Sequence, residues 1–178
     1  TRARSRAPVI LTALGVLALM MMTLTPPLYA NFYERLLTKD DYRQGYKFAK
    51  IVEGRSGVVV ATKSGNVYGN GAYDGAINTD FSREKNGIIR AYSVGLIHPK
   101  PKKVLMIGLA SGSWAQVIAH HPDLDELTVV EINPAYLQIV HHSRNASLLQ
   151  NPKVTLVIDD ARRWLRNRSK SEKFDMIV

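Results

Sequence analysis

From Lys103 onward the chain alternates short apolar runs with helical stretches, and that rhythm constrains the fold more than any other feature. Val104–Ile107, Leu127–Ile132 and Val154–Ile158 read as strands, and a fourth begins at Phe174. A helix is expected after Ser113, with Trp114, Val117 and Ile118 on its inner face. A second opens at Asn133 as cap, with Pro134 at the first helical position, and runs to about Leu149. A third is capped by Asp160 and turns Trp164 and Leu165 inward. Strands separated by helices imply a parallel, doubly wound α/β sheet, because a parallel neighbour is reached only through a crossover. Four strands make half of such a sheet, so this domain, placed at 83–178, is expected to be C-terminally truncated and to continue past Val178.

A different pattern precedes it. The runs "YKFAKIVEG", "GVVVATKSGNVYGNGAYDG" and "AIN" are short and β-prone, with turn signals at Ser64-Gly65-Asn66 and Asn70-Gly71. They predict a small antiparallel β domain at 48–82. Residues 83–97, "REKNGIIRAYSVGLI", predict a helix with Ile88, Tyr92 and Leu96 in line, weakened by Gly87 and Gly95.

No charged residue occurs from Ala7 to Tyr33, and Val9–Leu24 is almost wholly apolar. Pro26-Pro27 is expected to break the helix there. The segment 1–30 reads as a membrane helix, slightly short for a hydrocarbon core of ~30 Å at ~1.5 Å per residue. A signal segment is the rival reading, with Arg2, Arg4 and Arg6 as its basic start and a cut after Ala30. Arg35, Lys39, Arg43, Lys47 and Lys50 follow the segment, so the positive charge on its two sides leaves its orientation open. Residues 31–47 read as a polar connector.

Ligands in doubly wound sheets lie at the carboxyl ends of the strands, and three features fall there. The turn after the first strand is Gly108-Leu109-Ala110-Ser111-Gly112-Ser113. Gly108 and Gly112 permit a sharp turn and close approach of a ligand, and the small Ala110 stands for a middle glycine. Glu131 ends the second strand, where a carboxylate can accept from both ribose hydroxyls. Asp159, Asp160 and Ala161 follow the third strand, where a carboxylate can meet an adenine amino group. Together they predict an adenosine site. Ser111, within the turn, brings a hydroxyl that can hydrogen-bond but carries no charge.

These residues resemble the spermidine synthases, the polyamine aminopropyltransferases. "VEGRSG", "YDGAIN", "HPKPKKVLMIGLASGS", "VVEINP", "NPKVTLVIDDARRWL" and "FDMIV" stand in that family's order and spacing. The resemblance implies a small β domain followed by a Rossmann-like domain of the class I methyltransferase type. It also implies transfer of an aminopropyl group from decarboxylated S-adenosylmethionine to a diamine, leaving methylthioadenosine. Glu131 would then bind the ribose, Asp160 and Ala161 the adenine, and Asn78 would stand where the family has a glutamine near the nucleoside. The apolar segment resembles membrane-fused bacterial relatives. The family's loop is usually GGGDGG; here Ser111 takes the Asp place, Leu109 and Ala110 replace two glycines, and Ser113 replaces the last. The stretch "SREKNGII" lacks the family's tyrosine. The family's general-base aspartate would lie beyond Val178, leaving the catalytic residue unknown. Three functions follow: an aminopropyltransferase with a diamine half depleted of charge, a methyltransferase using S-adenosylmethionine, and a non-catalytic nucleoside-binding module.

The composition narrows the partners. The formal charge is +9, with basic clusters at Arg2–Arg6, Lys100–Lys103 and Arg162–Lys173. No aromatic-interleaved patch accompanies them, so nucleic acid is not an expected partner, whereas anionic lipid remains one. The absence of cysteine excludes thiol nucleophiles and Cys-zinc sites. His120-His121 ends a helix and His141-His142 is expected mid-helix without carboxylate partners, so no metal is expected. Asn145-Ala146-Ser147 and Asn167-Arg168-Ser169 match the glycosylation pattern. A membrane-attached protein with its soluble domain on the cytoplasmic side is the expected arrangement, and a homodimer is one assembly it allows.

Overall fold

The structure, a computed structural model, describes residues 7–168 and 173–178. The basic start at Arg2, Arg4 and Arg6, and Ser169 of the second glycosylation pattern, lie outside the described residues. The chain forms two compact units, Thr1–Tyr46 and Lys47–Val178.

In the first unit, helix α1 spans Ala7–Tyr29. Its stretch Ala7–Pro26 has a mean hydropathy of 2.2, is not buried, and is long and apolar enough to cross a bilayer. The expected break at Pro26-Pro27 does not occur, since the helix runs to Tyr29. Proline's fixed φ is itself near-helical, so the backbone keeps its helical path through Pro26 and Pro27 with the two bonds of the missing N–H groups forgone, and ends at Tyr29. Asn31, in the left-handed conformation at φ 55°, turns the chain into α2, Phe32–Thr38. A 3₁₀ turn follows at Lys39–Asp41, so the connector carries helix of its own.

The second unit holds two sheets. Strands β1 (Lys50–Gly54), β2 (Gly57–Ala61), β3 (Asn66–Gly69) and β4 (Ala72–Ala76) form an antiparallel meander in that order. Asn70 (φ 51°) and Gly71 (φ 85°) both take the left-handed values that a tight two-residue hairpin demands. The second sheet is parallel: β5 (Lys103–Ile107), β6 (Glu126–Glu131), β7 (Val154–Ile158) and β8 (Met176–Ile177), in the spatial order β7-β6-β5-β8. The chain builds outward from β5 through β6 to β7, then crosses to the other side of β5 for β8. Strand order therefore reverses at β5, the position where doubly wound sheets open a ligand crevice. This is a Rossmann-like architecture with a small antiparallel sheet before it in the chain. Val104, Leu105, Leu127 and Val129 are fully buried, as suits strands covered on both faces. Asp175 stitches the strand starts together, its Oδ2 accepting from Lys102 N at 2.8 Å and Lys103 N at 2.9 Å.

The helices depart from the expected faces. Residues 83–97 form two short pieces, α3 (Ile88–Tyr92) and α4 (Val94–Ile97), the first opened by Gly87 at φ 58°. Their buried face is Ile88, Ala91 and Val94, while Leu96 is 85% exposed. The buried residues recur every third position, so the line through Tyr92 and Leu96 turns outward. Helix α5 (Ser113–Ala119) buries Ala115, Ile118 and Ala119 rather than Trp114 and Val117, which are half-buried. Small residues there let the helix lie close to the sheet. Helix α6 (Ala135–His141) stops well before Leu149, and a 3₁₀ turn at Ala146–Gln150 completes the path. His141 therefore ends a helix rather than sitting within one. Helix α7 (Ala161–Asn167) has no buried residue, and Leu165 is 39% exposed rather than inward.

Candidate functional site

Two adjoining cavities open along the carboxyl edge of the parallel sheet, with Ile107 and Gly108 bordering both. The first, of about 300 Å³, is lined by Gly108, Glu131, Asp159, Asp160 and Ala161 among others. The second, of about 360 Å³, lies between β4 and the glycine-rich turn. Of the sequence-predicted residues, the structure brings Gly108, Glu131, Asp159, Asp160 and Ala161 together in the first. It sets Ala110 and Ser111 on the wall of the second.

Glu131 is the pivot of the first cavity. Only 4% of it is exposed. Its Oε2 accepts from Leu109 N at 2.7 Å, and its Oε1 accepts from Asn133 N at 2.7 Å. The carboxylate thus pins the glycine-rich turn to the end of β6. Each oxygen retains a second acceptor site, so a ligand hydroxyl can be bound without breaking either bond. Main chain adds a further tie, since Asp159 N donates to Glu131 O at 3.1 Å. Asp159 Oδ1 accepts from Asp160 N at 2.7 Å and from Arg163 Nε at 2.6 Å. Asp160 caps α7, its Oδ1 accepting from Arg162 N at 2.8 Å and Arg163 N at 3.1 Å. Those N–H groups, Arg163's foremost, hold the Asp160 carboxyl below its ordinary range.

The turn itself divides by residue. Gly108, at φ 93°, faces open space, with no atom within 4 Å of where a Cβ would stand. A ligand can meet its backbone. Gly112, at φ 73°, packs inward instead: a Cβ there would lie 2.8 Å from Val140 Cγ2. Its role is to seat α5 against α6. Ala110 takes φ 48°, a left-handed conformation unusual for a residue with a Cβ.

Ser111 borders the second cavity but is only 1% exposed. Its hydroxyl donates to Ser113 Oγ at 3.2 Å. Ser113 in turn donates to Ala76 O at 2.8 Å, and Asn145 Nδ2 reaches both Ser111 O and Ser113 Oγ at 3.0 Å. The serines thus belong to a buried polar knot joining the turn to β4. Asn78 is likewise drawn away. Its N–H donates to Ser113 Oγ at 2.9 Å, and its side chain closes the 78–83 loop through Asp80 and Arg83 O. It lines a separate cavity of about 140 Å³ with Gln116 and Arg144.

Sequence reasoning missed the opposite wall of the second cavity: Tyr73 and Asp74 of β4, Asn86, and Trp114. Trp114 Nε1 donates to Asn86 O at 2.9 Å, fixing the indole there. The Tyr136 hydroxyl of α6 bonds Asp74 Oδ2 through the small sheet, at a point where only Gly69 leaves room for it. Burial, followed by the bond to Asp74, pushes the Tyr136 phenol well above its ordinary value. A signal was available: aspartate is unfavourable within a strand, yet Asp74 stands inside "AYDGA". No group of three or more potential metal ligands occurs among the described residues.

Residues 90–178, half of the chain, match the family model of the spermine/spermidine synthase domain. A polyamine aminopropyltransferase from Streptococcus pneumoniae is 33% identical over 84 residues, covering 46% of this chain and 29% of the relative. A crystal structure of spermidine synthase from Thermotoga maritima superimposes with a TM-score of 0.55 at 15% identity, over 74% of this chain and 45% of that one. A spermidine synthase structure in complex with the transition-state analogue AdoDATO aligns equally well, over 74% and 46%. The chain spans less than a third of the length of the curated relatives it matches.

Proposed function

The chain belongs to the spermine/spermidine synthase family, and from that premise we propose that it binds an adenosyl sulfonium donor and transfers an aminopropyl group from it to a polyamine. The observation that carries this reading is the Glu131 carboxylate, locked by two backbone N–H groups at the rim of the first cavity with acceptor capacity to spare. Paired ribose hydroxyls suit that capacity, with Gly108 approaching the sugar and Asp159, Asp160 and Ala161 beside the base. Neutral Ala161 and the main chain of the turn supply the remaining contacts.

The transfer is a displacement at carbon. The lone pair of the acceptor nitrogen forms a bond to the aminopropyl methylene that carries the sulfonium. The carbon–sulfur bond breaks, its electrons pass to sulfur, and neutral methylthioadenosine leaves. The proton lost by the alkylated nitrogen goes to a base or to water. Orientation of the donor is the contribution of the residues described above, since holding two reactants in line removes much of the entropic barrier.

Calorimetry on the full chain with methylthioadenosine, S-adenosylmethionine and its decarboxylated form tests the reading. Glu131→Ala is expected to weaken methylthioadenosine by about tenfold or more, the loss of a charge-assisted partner. Unchanged affinity would remove Glu131 from the site. Spermidine formed from putrescine and decarboxylated donor is expected. Binding without product would leave a nucleoside-binding module, and methyl transfer from S-adenosylmethionine would point to the other chemistry.

Helix α1 is proposed to anchor this activity to a membrane, the 20 residues Ala7–Pro26 being of sufficient length and apolarity. The donor's cytoplasmic origin favours that side. Resistance of the full chain to alkaline extraction from membranes is expected; release into the supernatant would reject the anchor.

A further inference from the structure

The second cavity carries a feature that the nucleoside reading does not use. Among its described lining residues, Asp74 is the only carboxylate, and there is no lysine, arginine or histidine. The protein as a whole carries nine excess positive charges, so an acid wall without a cation is unusual for it. Asp74 Oδ2 accepts from the neutral Tyr136 hydroxyl. Its Oδ1 has no hydrogen-bond partner among the described residues, and Asp74 forms no ion pair there. Tyr73 and Trp114 add aromatic faces to the same cavity, and Trp114 is held in place by its bond to Asn86 O. A carboxylate beside aromatic rings is the arrangement that recognises an alkylammonium, the charge on the acid and the methylenes and N⁺ against the rings.

We propose that Asp74 is a binding residue for a primary alkylammonium group, held in the cavity between β4 and the glycine-rich turn. The small sheet thereby supplies the negative charge that the turn lacks at Ser111, whose hydroxyl is committed to Ser113. Two sources present this chemistry on the proposed function, on which the assignment rests: the aminopropyl end of the decarboxylated donor, and the amine acceptor. Gly108 borders both cavities, so a ligand seated on Glu131 extends directly into the second. The anchoring of Asp74 by Tyr136 gives it a fixed position before any ligand arrives.

The test is calorimetry on the full chain in detergent with three probes: methylthioadenosine, decarboxylated S-adenosylmethionine, and 1,4-diaminobutane added to the methylthioadenosine complex. Asp74→Asn keeps the shape and an acceptor for Tyr136, and removes only the charge. It is expected to leave methylthioadenosine within about twofold and to weaken an amine-bearing probe about tenfold or more. Loss confined to the decarboxylated donor assigns the site to the donor's own amine; loss confined to 1,4-diaminobutane assigns it to the acceptor. Tyr136→Phe retains the carboxylate and is expected to keep amine affinity within about threefold, which separates charge recognition from a packing role. Equal affinities of wild type and Asp74→Asn for both amines would overturn the assignment, as would the absence of any amine-dependent gain over methylthioadenosine. Failure of methylthioadenosine alone, with Asp74-dependent amine binding retained, would instead reject the nucleoside reading and leave this subsite standing.

Discussion

At the carboxyl ends of β6 and β7 the acids are bound by the chain itself, whereas on β4 the acid meets nothing stronger than a phenol. Glu131 takes two backbone N–H groups, Asp159 takes the Arg163 guanidinium, and Asp160 takes the first N–H groups of α7. Among the described residues, Asp74 takes only the Tyr136 hydroxyl. The first lobe is a scaffold whose charges fix the main chain that surrounds a neutral ligand part. In the second, the acid carries no cationic partner among the described residues. A nucleoside and an ammonium need those two kinds of surface, since hydroxyls are recognised by positioned acceptors and a cation by an uncompensated anion.

The largest effect expected from disturbing this contrast is at Glu131. Glu131→Gln sets an amide NH₂ against one of two buried N–H donors and removes the charge from both bonds. A loss of about 3–5 kcal/mol in unfolding free energy is expected, two charge-assisted bonds being at stake. Asp74→Asn, by contrast, is expected to leave the denaturation midpoint almost unmoved. Similar stability losses for the two would erase the distinction between scaffold acid and ligand acid.

The two glycines of the turn divide in the same way. Gly112→Ala adds a methyl against Val140 at a positive φ, and about 2–4 kcal/mol of destabilisation is expected from strain and overpacking together. Gly108→Ala meets open space, so about 1–2 kcal/mol from its φ alone is expected, with a larger loss of methylthioadenosine affinity. Chemical denaturation and calorimetry on both variants check this. The reverse order in stability would place Gly112, not Gly108, against the ligand. At Ala110, whose φ of 48° disfavours a Cβ, Ala110→Gly is expected to stabilise by up to about 1 kcal/mol. A loss of stability there would mean that the methyl packs usefully in the second lobe.

Much of this arrangement was legible in the residues. The alternation after Lys103 located all four parallel strands, because strands packed between helices read as short apolar runs. Glycines at 108 and 112 marked a turn that does take positive φ at both. Asp160 before a basic run marked a cap that the structure contains. Helix faces were less legible. Residues 83–97 carry a plausible stripe at every fourth position, but the buried face falls at Ile88, Ala91 and Val94, and only tertiary packing reveals that. The direction of Ser111 was not legible at all, since it depends on Asn145 and Ala76, each more than thirty residues away. Asp74 stands in plain view inside a strand, but that no cation among the described lining residues faces it across the cavity is something no local pattern encodes.

The smallest effect concerns Asp160, and it tests how firmly the first lobe's charges are engaged. The N–H groups of Arg163 and Arg162 hold its folded pKa below the ordinary 3.8. A carboxyl depressed on folding contributes stability that is present above its unfolded pKa and is lost as pH falls through the folded one. Asp160→Asn keeps an acceptor for the cap and removes the charge that responds to the α7 dipole. The variant is therefore expected to melt slightly below wild type near neutral pH, with the gap closing as pH falls below 3.8 and vanishing once the wild-type carboxyl is protonated. Thermal unfolding followed across that acidic range measures it. A gap that persists unchanged would show that hydrogen-bond geometry alone carries the cap. Asp160 would then hold a charge as uncommitted as that of Asp74, and the contrast between the lobes would narrow to Glu131 and Asp159.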